Sequence, residues 1–299
     1  MIKSFDELER LARERPSRRL ALAMAQEADA LRAALNAAER GIVEPVLVGS
    51  ETQTREIAAR ENLDISPFTL IPVEGDEAAA ARAVEVVREG QADLLMKGRV
   101  PTATLMRAVL RSHSGLRGSG TLSHVTIVEI RSYPKLLLMS DPGLNIAPDL
   151  RTKVSIIDNA VSVAHALGIE RPKVAVIAAV EKVNPGAMPA TVDAALLAKM
   201  SYRDQIRGCV VDGPFALDNA VSAHSCEVKG IRSEVGGDAD ILLMPDIEAA
   251  NVFYKTLAYL TDARMAAIIM GARVPLVMNS RADSDSNKFY SILAAVSLV

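Results

Sequence analysis

Short apolar runs alternate with amphipathic helical segments along nearly the whole chain, joined by turns of a few residues. Of all the features in the sequence, this alternation restricts the fold most. Parallel strands need crossover connections, usually helical, so such a chain forms a parallel sheet with helices on both faces. Residues 20–24, 46–49, 69–72 and 92–97 read as strands, and residues 27–40, 51–61 and 77–88 as the helices between them. Gly41 and Gly90 stop two of those helices. A helix at 102–111 follows, then two paired strands, 122–129 and 135–140, around a turn at 132–134. Beyond a helix at 149–167 the alternation resumes, with strands at 174–178, 208–213 and 239–245 and helices at 188–200 and 250–261.

With 299 residues and 49% hydrophobic content, the chain can bury one large core or two moderate ones, and two domains are expected. A net charge of −3 carries no basic field, so neither nucleic acid nor an anionic membrane is expected as a partner. No apolar run approaches the roughly 20 residues needed to span a bilayer, and the charged, helical start is unlike a signal peptide. The two cysteines, Cys209 and Cys226, cannot build a disulfide framework and fit a reducing cytosol. Cys209, in an apolar run, reads as an inert core residue, and no metal-ligand cluster forms around His224 and Cys226. The expected protein is soluble and cytoplasmic.

Two stretches carry chemistry. Residues 274–278 form a short strand that breaks into Asn279-Ser280-Arg281-Ala-Asp283 and then a helix, with Ser284, Asp285 and Ser286 as N-cap candidates. A strand feeding a helix through a polar loop puts that loop at the carboxyl end of the sheet, where α/β proteins bind ligands. The helix start attracts anions, and the planar fork of Arg281 suits phosphate. Between Asp93 and Glu129 there is no acidic residue, while Lys97, Arg99, Arg107, Arg111, Arg117, His113 and His124 all occur. Lys97-Gly98 with Thr102 reads as a phosphate cradle at a strand-to-helix turn. Arg107 and Arg111 read as a solvated helix face. The Gly-rich patch at 115–120 is no dinucleotide fingerprint. Pro185, Asp212 and Asp246 stand at the strand ends of one α/β unit and mark a second wall.

The ordered set Lys97-Gly98 with Thr102, Leu122-Ser-His-Val125, Asp141-Pro-Gly-Leu-Asn145, Glu181-Lys-Val-Asn-Pro185, Asp212-Gly-Pro-Phe-Ala-Leu-Asp218-Asn219, Asp240-Ile-Leu-Leu-Met-Pro-Asp246 with Asn251, and Asn279-Ser-Arg281 resembles the phosphate acetyltransferase and phosphate butyryltransferase family. Each motif alone is weak, but their order is specific. The Val-Asn-Pro and Asp-Gly-Pro forms lean toward the butyryltransferase branch. The family also includes chains that follow a hydratase domain in a bifunctional enoyl-CoA hydratase/phosphate acetyltransferase, and the resemblance leaves that origin open.

The resemblance implies two doubly wound α/β domains with a cleft between them, like the isocitrate and isopropylmalate dehydrogenases. Their borders would fall at 1–138 with 277–299 for one domain and 139–276 for the other. It implies a homodimer that moves a short-chain acyl group, acetyl to butyryl, between coenzyme A and phosphate. Coenzyme A is a substrate, and no bound cofactor or metal is needed. Ser280 and Arg281 match the family's pair that stabilises the oxyanion and the phosphate. The acetyltransferase branch places its base six residues beyond that arginine, where this chain has Asn287. Asp283 and Asp285 are the nearest carboxylates. Asp283 is the favoured base and Asp285 the other candidate; alternatively Asp283 orients Arg281 and no base is used, coenzyme A entering as thiolate. Lys97, Thr102, Ser123, Asn145, Asp212 and Asp246 complete the implied binding set. Two rival readings are a non-catalytic binder of coenzyme A or acyl phosphate, and a metal-dependent dehydrogenase of the same fold.

Overall fold

A computed structural model describes residues 1–112, 115–118, 120–280 and 283–299. Contacts divide the chain into two compact units. The first comprises Phe5–Gly120 and Ala266–Val299, and the second Met1–Ser4 and Thr121–Met265.

The first unit begins α1 (Phe5–Arg13), β1 (Arg18–Ala23), α2 (Ala28–Glu39), β2 (Val43–Gly49), α3 (Glu51–Arg60), β3 (Thr69–Pro72), α4 (Asp76–Arg88), β4 (Leu94–Lys97) and α5 (Thr102–Val109). The chain then builds the second unit: β5 (Ser123–Glu129), β6 (Leu137–Ser140), α6 (Leu150–Ala166), β7 (Lys173–Ile177), α7 (Ala190–Tyr202), β8 (Val210–Phe215), α8 (Leu217–Val221), α9 (Ala223–Lys229), β9 (Ile241–Leu243) and α10 (Ile247–Leu260). It returns through β10 (Arg264–Met270), β11 (Leu276–Val277) and α11 (Asp285–Val296).

In the first unit the strand order is β3-β2-β1-β4-β11-β10. All pairings there are parallel except the antiparallel β10–β11 edge. Every residue of β4 is buried, as expected of a strand covered on both faces. The covering helices bury small apolar side chains, Ala30, Leu31, Ala34 and Leu35 from α2 and Ala79, Ala80, Ala83 and Val84 from α4. From β1 the chain winds outward to β2 and β3, then returns to place β4 on the other side of β1. The order therefore reverses between β1 and β4, a switch point of the kind at whose carboxyl ends open α/β sheets bind ligands.

The second unit runs β5-β6-β9-β7-β8, parallel except for the β5–β6 hairpin. Its core gathers Val128, Leu137, Met139, Ala175, Phe215, Leu242 and Tyr254. Because β5 opposes β6, with Val125 across from Ser140, the start of β5 lies at the same end as the carboxyl ends of the parallel strands.

The expected strands and helices recur with ends shifted by a few residues. The sequence placed the crossings at 138/139 and 276/277, whereas the compact units are bounded at Gly120/Thr121 and Met265/Ala266. Hairpin pairing explains the first difference, since β5 hydrogen-bonds along β6 and joins the unit that holds it. Three elements were absent from the sequence reading: β10 and the short helices α8 and α9.

Candidate active site

The first unit assembles its polar groups at the carboxyl ends of β1, β4 and β11. Gly98 follows β4 so closely against β1 that a Cβ there would lie 2.2 Å from the Met24 carbonyl oxygen. The Gly98 N–H donates to Ala23 O at 2.9 Å and the Arg99 N–H to Met24 O at 3.0 Å. These bonds seal the strand ends together and turn the chain toward α5. Lys97 is buried, and its Nζ donates to Gly98 O at 3.0 Å. Thr102 is exposed at the first position of α5. Arg107 is also exposed; it bonds Thr104 and pairs with Glu77, as a solvated helix face would.

At the end of β11 the chain continues through Met278 and Asn279 to Ser280, which is half-buried. Arg281 lies outside the described residues, as does His113. Asp283 is 5% exposed, and its Oδ2 accepts the Ser280 N–H at 2.8 Å and Asn279 Nδ2 at 3.4 Å. The Asp283 N–H in turn donates to Ser280 O at 3.1 Å. Ser284 caps α11, its side chain accepting the Asn287 N–H at 3.2 Å. Asp285 is partly exposed, accepts the Ser286 N–H and lies 3.6 Å from Arg32. Ser280 and Asp283 thus come together, while Asp285 faces another set of partners.

Two charged residues of this site escaped the sequence reading. Lys288, the fourth residue of α11, is 2% exposed; its Nζ donates to Asp283 O at 2.6 Å and lies 3.7 Å from Glu27. Burial pushes the Glu27 carboxyl above the usual carboxylate range, with Lys288 and Lys97 pulling it partway back. The one signal was spacing: Lys288 shares a helical face with Ile292 and Ala295, both buried.

In the second unit Asp141 follows β6 and holds its loop by four bonds. Oδ1 accepts from Gly143 N and Leu144 N at 2.9 and 3.0 Å, and Oδ2 from Asn145 N and Nδ2 at 3.2 and 2.5 Å. Asn145 Nδ2 also donates to Leu122 O at 2.8 Å. Ser123 is fully buried and accepts from Asn159 Nδ2 at 2.8 Å. Asp246 caps α10, accepting the Ala249 N–H at 2.8 Å, and Asn251 Nδ2 donates to Pro142 O at 3.0 Å. Ser123, Asn145 and Asp246 therefore lie at one end of this sheet, Asn145 and Asp246 tied to neighbouring backbone and Ser123 to the Asn159 side chain. Asp212, on β8, accepts from Ser233 Oγ at 2.5 Å. It lines a groove of about 840 Å³ along β8 with Glu170, Arg171, Tyr202 and Cys209. That groove contains none of Ser280, Asp283, Lys97 or Asn145, so its size alone does not mark it as the site of chemistry. Cys209 is half-buried on this groove and not a core residue; Cys226 is the buried one.

The polar turn after β11, the Lys97-Gly98 turn and the Asp141-Asn145 loop are the motifs that carry the family resemblance. A family model described as phosphate acetyl/butaryl transferase matches residues 74–296. The chain belongs to this family. It is 46% identical to the phosphate butyryltransferase of Clostridium acetobutylicum over 99% of this chain and 98% of that one. It is also 46% identical to the phosphate acetyltransferase of Thermotoga maritima, over 93% of this chain and 95% of that one. Among solved structures, a branched-chain phosphotransacylase from Enterococcus faecalis V583 superposes with a TM-score of 0.83 at 32% identity, covering 94% of this chain and 98% of that one. The two-unit α/β fold is thus that of a phosphotransacylase.

Proposed function

We propose that this chain transfers a short-chain acyl group between coenzyme A and inorganic phosphate: acyl-CoA and phosphate give acyl phosphate and coenzyme A. The observation that carries the reading is the 46% identity to a phosphate butyryltransferase across 99% of the chain. The turn after β11 supports it by presenting Ser280 on a braced backbone at a strand end.

Toward acyl phosphate, a phosphate oxygen attacks the thioester carbonyl carbon. The new C–O bond forms, the C–S bond breaks, and sulfur departs with the electron pair as thiolate. In reverse, the coenzyme A thiol, with a pKa of roughly 8.5, attacks as thiolate. Ser280 donates its hydroxyl to the carbonyl oxygen as charge develops, and Arg281 pairs with the phosphate. Asp283 already accepts two N–H groups, so its role is to hold the Ser280 backbone. Lys97 adds positive charge beneath the crevice, and Thr102 offers a hydroxyl and an N–H at the start of α5. Asn145, Asp212 and Asp246 act through the backbone they fix, and Ser123 through the Asn159 side chain that bonds it. Coenzyme A is a substrate and the working state a homodimer in the cytosol, where Cys209 and Cys226 stay reduced. Among the described residues no helix is long and apolar enough to cross a membrane.

The test is coenzyme A release from acetyl-, propionyl- and butyryl-CoA on adding phosphate, beside Arg281→Ala. Phosphate-dependent release that the variant loses is expected, and it ranks the acyl chains. Folded protein that binds coenzyme A yet releases none from any thioester would favour a binding protein. Light scattering after size exclusion checks the dimer.

A further inference from the structure

Lys288 is an expensive residue where it stands. It lies near the start of α11, where the helix dipole disfavours a cation, and it is buried, where desolvation disfavours any charge. An apolar side chain of similar volume would fill the same space at lower cost. What the ammonium gains is geometry: 2.6 Å to Asp283 O and 3.7 Å to Glu27. Asp283 is also the residue that grips Ser280 twice. Its N–H goes to Ser280 O at 3.1 Å and its Oδ2 takes the Ser280 N–H at 2.8 Å. A shift of Asp283 therefore carries both main-chain polar groups of Ser280 with it.

We propose that Lys288, held by Glu27, is a positioning residue that fixes Asp283 and, through it, Ser280 at the carboxyl end of β11. Its consequence for turnover rests on the acyl-transfer reading; its geometric part does not. Lys288 is too buried to touch a substrate, so its removal acts on the rate of the chemical step and leaves substrate affinity nearly unchanged. The charges facing Glu27 are Lys288 from α11, Lys97 from β4 and Asp29 from α2. Burial raises the Glu27 carboxyl, the two lysines lower it and Asp29 raises it further. As pH falls, Glu27 takes up a proton before an ordinary carboxylate does, and Lys288 loses its counter-charge.

Steady-state kinetics and backbone hydrogen exchange on Lys288→Met, Lys288→Arg and Glu27→Gln, each in the full chain, test this. In Lys288→Met we expect kcat to fall about 10–100-fold, with KM for coenzyme A and phosphate within about twofold, and Lys288→Arg to recover part of the loss. Exchange at the Ser280 amide should rise about tenfold in Lys288→Met, and should also rise in Glu27→Gln. Glu27→Gln, which mimics the protonated state at every pH, should lose the acid limb of the kcat profile. A folded Lys288→Met with wild-type kcat and wild-type Ser280 exchange overturns the inference, as does an acid limb unchanged in Glu27→Gln. If Lys288→Met fails to fold, the profile and the Ser280 exchange of Glu27→Gln decide. A wild type that releases no coenzyme A counts against acyl transfer alone, and the exchange comparison still decides the geometry.

Discussion

The Asp283 carboxylate accepts the Ser280 main-chain N–H at 2.8 Å, and the Asp283 N–H answers to Ser280 O at 3.1 Å. Two residues three apart are thus bonded in both directions, with Asn279 Nδ2 as a third donor at 3.4 Å. This reciprocal pair ties the acid singled out in the sequence to the serine's backbone.

Bracing and proton transfer predict different outcomes at Asp283. Alanine removes the acceptor altogether and should lower kcat/KM by about 10²–10³, the scale for losing one preorganised oxyanion donor. Asparagine keeps an acceptor oxygen at the same place and should retain much of the activity that alanine loses. Equal loss in Asp283→Asn and Asp283→Ala, measured by initial rates of coenzyme A release, would return Asp283 to the role of base.

Lys135 is the structural counterpart in the second unit. Its Nζ meets Asp240 Oδ1 at 2.6 Å and Asp238 Oδ1 at 2.8 Å, and both Lys135 and Asp240 are buried. Lys135→Met leaves Asp240 charged with its Lys135 partner gone, which should cost about 3–5 kcal/mol of unfolding free energy. Adding Asp240→Leu should recover part of that loss, because both charges are then gone. Urea denaturation of the single and double variants reads the difference directly.

The parallel sheets and their covering helices were legible because β-branched runs and helical spacing agree over most of the chain. The β10 strand was not legible: Met265, Ala266 and Ala267 carry no β-branch, and a short buried run looks alike as strand or helix. Helices α8 and α9, at 5 and 7 residues, are too short to show a period. At the site, Ser280 and Asp283 were visible as a motif, yet nothing in their spacing tells that the acid accepts the serine's own N–H. Glu27 and Lys288 lie far apart in sequence, and only folding brings a buried lysine against a half-buried glutamate. Cys209 shows the opposite error, an apolar run read as core that lies at a groove wall.

The Cys209 thiol is pushed up to about 11, first by burial and then by the negative charge of Asp158. The sign is clear: both causes disfavour the thiolate, which is the reactive form. At pH 7.5 only about one thiol in 10³–10⁴ is ionised, against about one in ten for an ordinary cysteine. Alkylation at Cys209 should therefore be slow at neutral pH and climb about tenfold per pH unit toward pH 10. Asp158→Asn should speed it at fixed pH. Iodoacetamide labelling read by mass spectrometry, with Cys226→Ser to isolate the site, measures both slopes.

A methyl group at Gly98 would sit 2.2 Å from Met24 O and 2.8 Å from Ala23 O, both main-chain atoms at the end of β1. Those atoms cannot swing aside as a flexible side chain would, because Ala23 O and Met24 O already accept from Gly98 N and Arg99 N. Gly98→Ala must then part the carboxyl ends of β1 and β4, displacing the turn that follows Lys97. The cost should be on the order of 1–3 kcal/mol, the scale of overpacking a close contact. Gly186→Ala, whose added methyl meets nothing within 4 Å, is the control and should stay within about 0.5 kcal/mol of wild type. If urea denaturation finds Gly98→Ala as stable as that control, with unchanged KM for phosphate, the close seal between β1 and β4 has no part in shaping the crevice.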